Sequence, residues 1–202
     1  MEYLRMKKMN KFLLKKSRQL GLLIIAVTLL LSGCGVNVSL DTPQDAAKSL
    51  IRAYQYQEED AVLKCYGLDK EKKIDKEIQN EINYNMKFYN AHQANDVSFK
   101  GDAILGSFEE YYLLYVFYDF KSRKEDDIIE APAIAAYFVR KEDKKYYVVP
   151  SKDVTAEMGE ISKAEYTKFI ETDEYKEYEK RYQEFIKENP EYEDTVSEEL
   201  KK

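Results

Sequence analysis

The chain has 202 residues, with 32 lysines and arginines, 38 aspartates and glutamates and a net charge of −6. The acidic balance disfavours nucleic acid as an electrostatic partner. The single histidine, His92, and the two cysteines leave no zinc site of familiar spacing. The sequence also lacks a Walker motif, G-x-G-x-x-G and G-x-S-x-G, so we expect no bound cofactor and no metal.

Residues 1–33 have the layout of a secretion signal. A basic head with seven lysines and arginines and one acid precedes an apolar stretch from Leu20 to Leu31. This stretch is about a dozen residues long, and a permanent membrane helix needs about twenty, so we expect no stable span. Translation from Met1, Met6 or Met9 would preserve the signal.

The signal ends in Leu31-Ser32-Gly33-Cys34, which resembles the lipobox of bacterial lipoproteins. The resemblance implies that the sulfur of Cys34 receives a diacylglyceryl group and that a peptidase cuts before this residue. Two acyl chains give durable membrane anchoring, whereas a single chain gives marginal binding. The alternative is an ordinary signal peptide, or a short anchor, that ends near a cysteine.

Cleavage before Cys34 would leave a more acidic chain on the cell surface. The net charge would be about −12, because the removed segment carries seven basic residues and one acidic residue. Cys65 would then be the only other cysteine, so no disulfide could form within the chain. The expected location is the extracytoplasmic face of the cell membrane, or the outer membrane in a Gram-negative host.

Three amphipathic helices are predicted after a tether at residues 34–41. Thr42 can cap the first helix, and Pro43 suits its first turn. Gly67 should end the second helix. The predicted starts and ends are Thr42 for the first helix, Glu58 and Tyr66 for the second, and Asp69 and Tyr89 for the third.

From residue 96 onward the pattern predicts about four antiparallel strands. Gly101 fits a bulge in the first strand. The second strand, Glu109 to Phe120, is apolar on both faces, which predicts that both faces are covered. Pro132 should lie near the start or edge of the third strand, and Glu142-Asp143 should form the turn before the fourth. Helices followed by strands predict an α+β domain over residues 42–153.

Residues 154–202 are predicted to form a charged helical extension. Ser162 and Glu165 have the spacing of a capping box, so we expect a helix to begin there. An aromatic stripe follows at helical spacing, and Pro190 ends its helix. We favour packing of this stripe on its own domain over docking of a partner protein, and we expect the last twelve residues to fray. The stripe consists of Tyr175, Tyr178, Tyr182 and Phe185.

Two segments resemble extracytoplasmic lipoproteins with the nuclear transport factor 2-like, or cystatin-like, fold. The opening segment is "TPQDAAKSLIRAYQYQEEDAVLKCYG", and the closing hairpin is "YFVRKEDKKYYVVPS", with Tyr146 where tryptophan is common. The resemblance spans about residues 41–153. In the opening segment Thr42, Pro43, Ala46, Ala47 and Tyr54 match, whereas Gln57 and Glu58 replace the usual Gly-Asp.

The resemblance implies helices packed on a curved sheet, which leave a cone for an apolar ligand. It implies no single activity, because the superfamily includes isomerases, cyclases, dehydratases, transport factors and lipoproteins. We favour a binding module that holds a ligand, a peptide or a partner protein. The alternative is a small enzyme of the ketosteroid-isomerase type that acts on a hydrophobic ligand.

Such an enzyme would need an acid or base inside the cone. Asp119, beside Tyr118 and near Tyr115, is the best catalytic candidate, and Asp102 is a weaker one. An acid near a strand end is more often solvated, so we favour binding. A deep pocket with a buried carboxylate would favour the enzyme. A cone filled by aromatic side chains would favour interaction; the expected side chains are Tyr115, Tyr137 and Phe138.

A catalytic pair with Cys65 as the nucleophile and His92 as the base is a further alternative. The two residues lie on different predicted helices, and the helical pattern turns Cys65 inward. We therefore expect Cys65 to be an inert core thiol.

Overall fold

The computed structural model describes residues 35–124 and 127–202, and the side chain of residue 124 is also left undescribed. Cys34 and the preceding signal segment lie outside the described residues. The described part contains six α-helices and a four-stranded antiparallel sheet in the order β1-β2-β3-β4, which confirms the predicted α+β class. None of its helices combines the length and apolarity that a membrane span requires.

Three helices precede the sheet and three follow it. The helices are α1 (Pro43–Gln55), α2 (Glu59–Tyr66), α3 (Lys76–Ala91), α4 (Ala156–Phe169), α5 (Asp173–Glu188) and α6 (Tyr192–Lys201), with a 3₁₀ turn at Ser151–Asp153. The strands are β1 (Asp96–Phe108), β2 (Tyr111–Lys124), β3 (Asp127–Glu142) and β4 (Lys145–Val148).

The predicted start of α1 and the predicted end of α2 are confirmed by the residues that cap them. Thr42 Oγ1 accepts a hydrogen bond from the backbone N–H of Asp45 at 3.0 Å. Gly67 ends α2 in the left-handed conformation, with φ of 72°. A Cβ at this position would lie 2.9 Å from the ring of Tyr147, so both the backbone and the packing favour glycine.

The start of α3 differs from its prediction. Asp75 caps this helix and accepts a hydrogen bond from the backbone N–H of Glu77 at 2.8 Å, so the predicted cap at Asp69 is wrong. Asp69 instead accepts from the backbone N–H of Glu71 at 3.0 Å. Its side chain stabilises a turn before the helix, which is the second common use of aspartate near a helix start.

The four antiparallel strands are confirmed, but β2 runs from Tyr111 to Lys124 and not from Glu109 to Phe120. The register between β1 and β2 changes at Gly101, where the bulge was expected. Pro132 lies on the part of β3 that β4 does not pair, so its missing N–H faces the sheet edge. The last hairpin turns through Asp143 and Lys144, which have φ of 46° and 67°, one residue later than predicted.

Both faces of β2 are covered, as the sequence predicts. One face packs on α1, α2 and α3 in the main core, through Leu114, Val116, Tyr118 and Phe120. The other face packs on the C-terminal helices. This second face consists of Leu113, Tyr115, Phe117 and Asp119.

The first helix of the C-terminal extension begins earlier than predicted. Thr155 caps α4 and accepts from the backbone N–H of Met158 at 3.2 Å, so the predicted start at Ser162 is wrong. The Met158 side chain is buried in a cluster with Leu113, and this tertiary contact favours the earlier start. Ser162 lies inside α4.

The aromatic stripe packs on the chain's own sheet and core. The Tyr178 ring lies 5.8 Å from that of Phe117, and Phe185 is buried in the main core. The Tyr192 ring packs on Phe185 at 4.9 Å, at the start of α6. The last residues form helix α6, so the expected fraying is wrong.

Candidate functional site

The predicted catalytic candidate Asp119 lies on the sheet face that the C-terminal helices cover. Its side chain is fully buried. Arg181 of α5 donates through Nη2 to both carboxylate oxygens, at 2.9 and 2.8 Å. Lys100 Nζ of β1 lies 3.0 Å from Oδ2. Both oxygens of Asp119 are therefore bound to cations inside the fold.

The cations around Asp119 belong to a wider ion-pair cluster. Lys100 also contacts Glu130 at 3.1 Å, and Lys121 contacts the other oxygen of Glu130 at 3.1 Å. Hydrogen bonds from Lys121 and Lys100 lower the pKa of Glu130, and the hydrogen bond to Asp119 raises the pKa of Lys100. These contacts hold β1, β2, β3 and α5 together, which is a structural role.

The weaker candidate, Asp102, is also paired. Lys48 Nζ of α1 donates to its Oδ2 at 2.6 Å, and both side chains are partly exposed. This pair joins the first helix to the first strand. A cavity lies next to α3, and neither Asp119 nor Asp102 lines it.

That cavity is the candidate functional site. It has a volume of about 320 Å³ and lies between α3 and the sheet. This volume is at the lower end of the range for small-molecule sites. Five tyrosines from five different elements line it, together with Phe88, Glu81 and Asn85 of α3. The tyrosines are Tyr54, Tyr66, Tyr89, Tyr118 and Tyr137, and we call this site the tyrosine cavity.

A chain of hydrogen bonds runs along one side of the tyrosine cavity toward Glu81. Asn85 Nδ2 donates to the Tyr54 hydroxyl at 3.3 Å, and the hydroxyls of Tyr54 and Tyr66 are 2.6 Å apart. Tyr66 donates to Glu81 Oε1 at 2.9 Å. The backbone N–H of Ser151 donates to Glu81 Oε2 at 2.8 Å.

The single proton of each hydroxyl fixes the direction of this chain. An ionised carboxylate only accepts hydrogen bonds, so Tyr66 uses its proton on Glu81. Tyr54 must therefore donate to Tyr66. Asn85, Tyr54 and Tyr66 therefore each donate to the next group in the direction of Glu81.

The other three hydroxyls form a second group. Those of Tyr89 and Tyr118 are 2.9 Å apart, and Tyr137 lines the cavity with them. Burial raises the pKa of Tyr137 to about 12 and that of Tyr89 and Tyr118 well above 10. Burial likewise raises the pKa of Tyr54 and Tyr66. The five phenols are therefore neutral at physiological pH.

The residues expected to fill the cone divide between the two sheet faces. Tyr137 lines the tyrosine cavity, whereas the Phe138 side chain packs with Leu113 and Met158 on the other face. Tyr115 faces the other way and stacks on Phe169 at 4.5 Å. Space for a ligand is therefore left beside Tyr137.

Cys65 and His92 take no part in the cavity. Cys65 is fully buried, and burial raises the pKa of its thiol to about 12, so it is unreactive. His92 stacks on Phe120 at 3.8 Å, and its Nδ1 is 2.8 Å from the Tyr192 hydroxyl. Within the described residues no group of three or more acidic, histidine or cysteine side chains is arranged to hold a metal ion.

Comparison of the chain with models of known protein families, with curated proteins and with solved structures gave no match. The sequence indicated the aromatic content of the tyrosine cavity, since the chain has 18 tyrosines. Glu81 and Arg181 carried no recognisable motif, and their partners are distant in sequence.

Proposed function

We propose that the chain is a lipid-anchored bacterial lipoprotein whose extracytoplasmic domain binds a small ligand. The lipobox at Cys34 supports the anchor, and the resemblance to cystatin-like lipoproteins supports the binding role. The tyrosine cavity carries the proposal: a space of about 320 Å³ lined by aromatic rings and a few convergent polar groups. This combination is typical of small-molecule sites.

The geometry favours binding over the isomerase alternative. General acid or base catalysis needs a titratable group within hydrogen-bond reach of the ligand. Asp119 is on the opposite sheet face and bound to Arg181 and Lys100. Glu81 lines the cavity, and hydrogen bonds from Tyr66 and from the backbone N–H of Ser151 hold its two oxygens in place, as suits a fixed binding partner.

Ligand retention tests the binding role. The full chain is purified from detergent-solubilised membranes, and its small molecules are extracted and identified by mass spectrometry. Ala135 lines the cavity, so Ala135→Phe should fill it and abolish the co-purifying compound. Ala164→Phe makes the same size change at an exposed position of α4 and should retain the compound. A compound retained equally by both variants would contradict the proposal.

Precursor processing tests the anchor separately. Globomycin treatment, or Cys34→Ala, should cause unprocessed precursor to accumulate or release the protein from the membrane. Immunoblots of membrane and soluble fractions measure both outcomes. Unchanged processing and unchanged membrane association would rule out the lipoprotein.

A further inference from the structure

The lining of the tyrosine cavity carries one sign of charge. Glu81 is its only carboxylate, and no lysine, arginine or histidine is among the lining residues that the structure describes. The whole chain is also acidic, with a net charge of −6. An acidic protein attracts cations, and a cavity with a carboxylate and no cation favours a positively charged occupant.

The hydrogen-bond inventory favours a ligand that donates. In the chain from Asn85 through Tyr54 and Tyr66, both hydroxyl protons are used, while each hydroxyl oxygen keeps an unused lone pair. The two Glu81 oxygens, each with one protein partner, keep further acceptor capacity. This side of the cavity therefore offers acceptors and no free hydroxyl donor.

The second group of hydroxyls adds two donors. Tyr89, Tyr118 and Tyr137 have three hydroxyl protons, and one hydrogen bond joins the first two, so two protons are left. Among the side-chain groups that line the cavity, acceptor capacity still exceeds donor capacity. A ligand rich in N–H donors would use the surplus, whereas an anion would leave it unpaired at a cost.

The aromatic lining favours the same class of ligand. Tyrosine and phenylalanine rings attract cations through the electron density of their faces, and several rings together form the aromatic cages that bind organic ammonium groups. Five tyrosines and Phe88 line this cavity. The phenols are neutral and do not offer a negative charge to the ammonium group. Glu81 is the only carboxylate among the described lining residues, so it is the partner for the ammonium charge.

From these observations we infer that the tyrosine cavity binds a small organic cation with a primary ammonium group, which is held by Glu81 and the tyrosine oxygens. This inference rests on the proposed binding function and names the class of ligand for the same cavity. The apolar part of the ligand would contact the rings of Phe88 and the tyrosines.

Two probes of equal shape test the inference on the full chain in detergent. One is 3,3-dimethylbutylammonium, and the other is the neutral 3,3-dimethyl-1-butanol. Isothermal titration calorimetry should detect the ammonium probe and give at least about tenfold weaker binding for the alcohol, the difference expected for losing a charge-assisted hydrogen bond. The carboxylate 3,3-dimethylbutyrate should not bind.

Matched variants then assign the charge to Glu81. Glu81→Gln should weaken binding of the ammonium probe by about tenfold or more. Glu77→Gln makes the same change at an exposed position of α3 and should leave it unchanged. Tyr137→Phe keeps the ring and removes one hydroxyl, so it should weaken binding less than Glu81→Gln does. Thermal unfolding of each variant verifies that the fold is retained.

The outcomes separate this inference from the proposed function. Equal affinity for the ammonium and the alcohol, or tighter binding of the carboxylate, would overturn the cationic class. Absence of ammonium binding at millimolar concentration would overturn it as well. In each case, a native compound that is lost in Ala135→Phe would still uphold the binding function.

Discussion

Arg181 donates to both carboxylate oxygens of Asp119, at 2.9 and 2.8 Å, although 62 residues separate the two side chains. The contact joins α5 to the central strand in a region from which Asp119 has no access to water. The C-terminal extension is therefore attached to the sheet by a buried ion pair as well as by aromatic packing.

Loss of Arg181 should destabilise the fold. Arg181→Met would leave the buried Asp119 with Lys100 alone, and removal of one partner of a buried pair costs about 3 kcal/mol. Urea unfolding followed by circular dichroism measures the change. Lys180→Met is the control, because Lys180 is exposed and makes only a 3.9 Å contact with Glu184. It should cost less than about 0.5 kcal/mol, and equal losses in both variants would contradict the prediction.

Removal of the C-terminal extension should prevent formation of the native core. A chain that ends at Asp153 would expose the sheet face of Leu113, Tyr115 and Phe117 together with Asp119, which would lose Arg181 as a partner. We expect loss of near-ultraviolet circular dichroism and aggregation in size-exclusion chromatography. A chain that lacks only the last two residues should behave as the full chain. A soluble, cooperatively folding 34–153 fragment would show that the extension is dispensable.

Acid should destabilise the protein through His92. Burial lowers the pKa of His92 from 6.5 to about 4, so the unfolded chain binds this proton more readily than the folded chain. The free energy of unfolding should therefore fall as the pH decreases from about 6.5 to 4, by up to about 3 kcal/mol. Urea titrations at several pH values measure the slope.

The variant His92→Phe isolates this effect. Phenylalanine keeps a ring on Phe120 but has no titratable group, so its stability should be flatter between pH 6.5 and 4.5. Carboxyls with lowered pKa, such as Asp75 and Glu130, lose their contribution as the pH falls through and below their ordinary values of 3.8 and 4.5, and they do so equally in both proteins. Identical slopes for the two proteins would assign the acid sensitivity to other groups.

Two glycine substitutions should have opposite effects. Gly67→Ala places a Cβ 2.9 Å from Tyr147 at a backbone φ of 72°, so we expect a loss of at least about 1 kcal/mol. Gly159→Ala adds a methyl group inside α4, where no side chain or other segment of the described chain lies within 4 Å of the new Cβ, and should stabilise by up to about 1 kcal/mol. Thermal unfolding of the two variants compares them. A neutral Gly67→Ala would show that the turn and Tyr147 adjust freely.

The fold was largely predictable where local signals agreed with burial. Thr42 and Pro43 marked the start of α1, and Gly67 marked the end of α2. The two-faced apolar pattern of β2 predicted cover on both sides. Errors arose where two polar residues competed for one cap. Asp69 and Asp75 both precede α3, and only the packing of the folded chain selects between them.

The candidate site was far less predictable. Its tyrosines come from five elements, and their convergence depends on the sheet register and on the position of α3. Asp119 is the catalytic candidate that the sequence favours, because it lies among tyrosines. Strand alternation, however, turns its side chain away from the cavity. Glu81 has no neighbouring signal, since its partners Tyr66 and Ser151 are 15 and 70 residues away.

The covered second face of the sheet has a consequence for biosynthesis. The residues that complete it, from Met158 to Arg181, are made after the whole sheet, and Phe185 reaches the main core later still. An emerging chain therefore exposes the apolar side chains of this face until the C-terminal helices have been made.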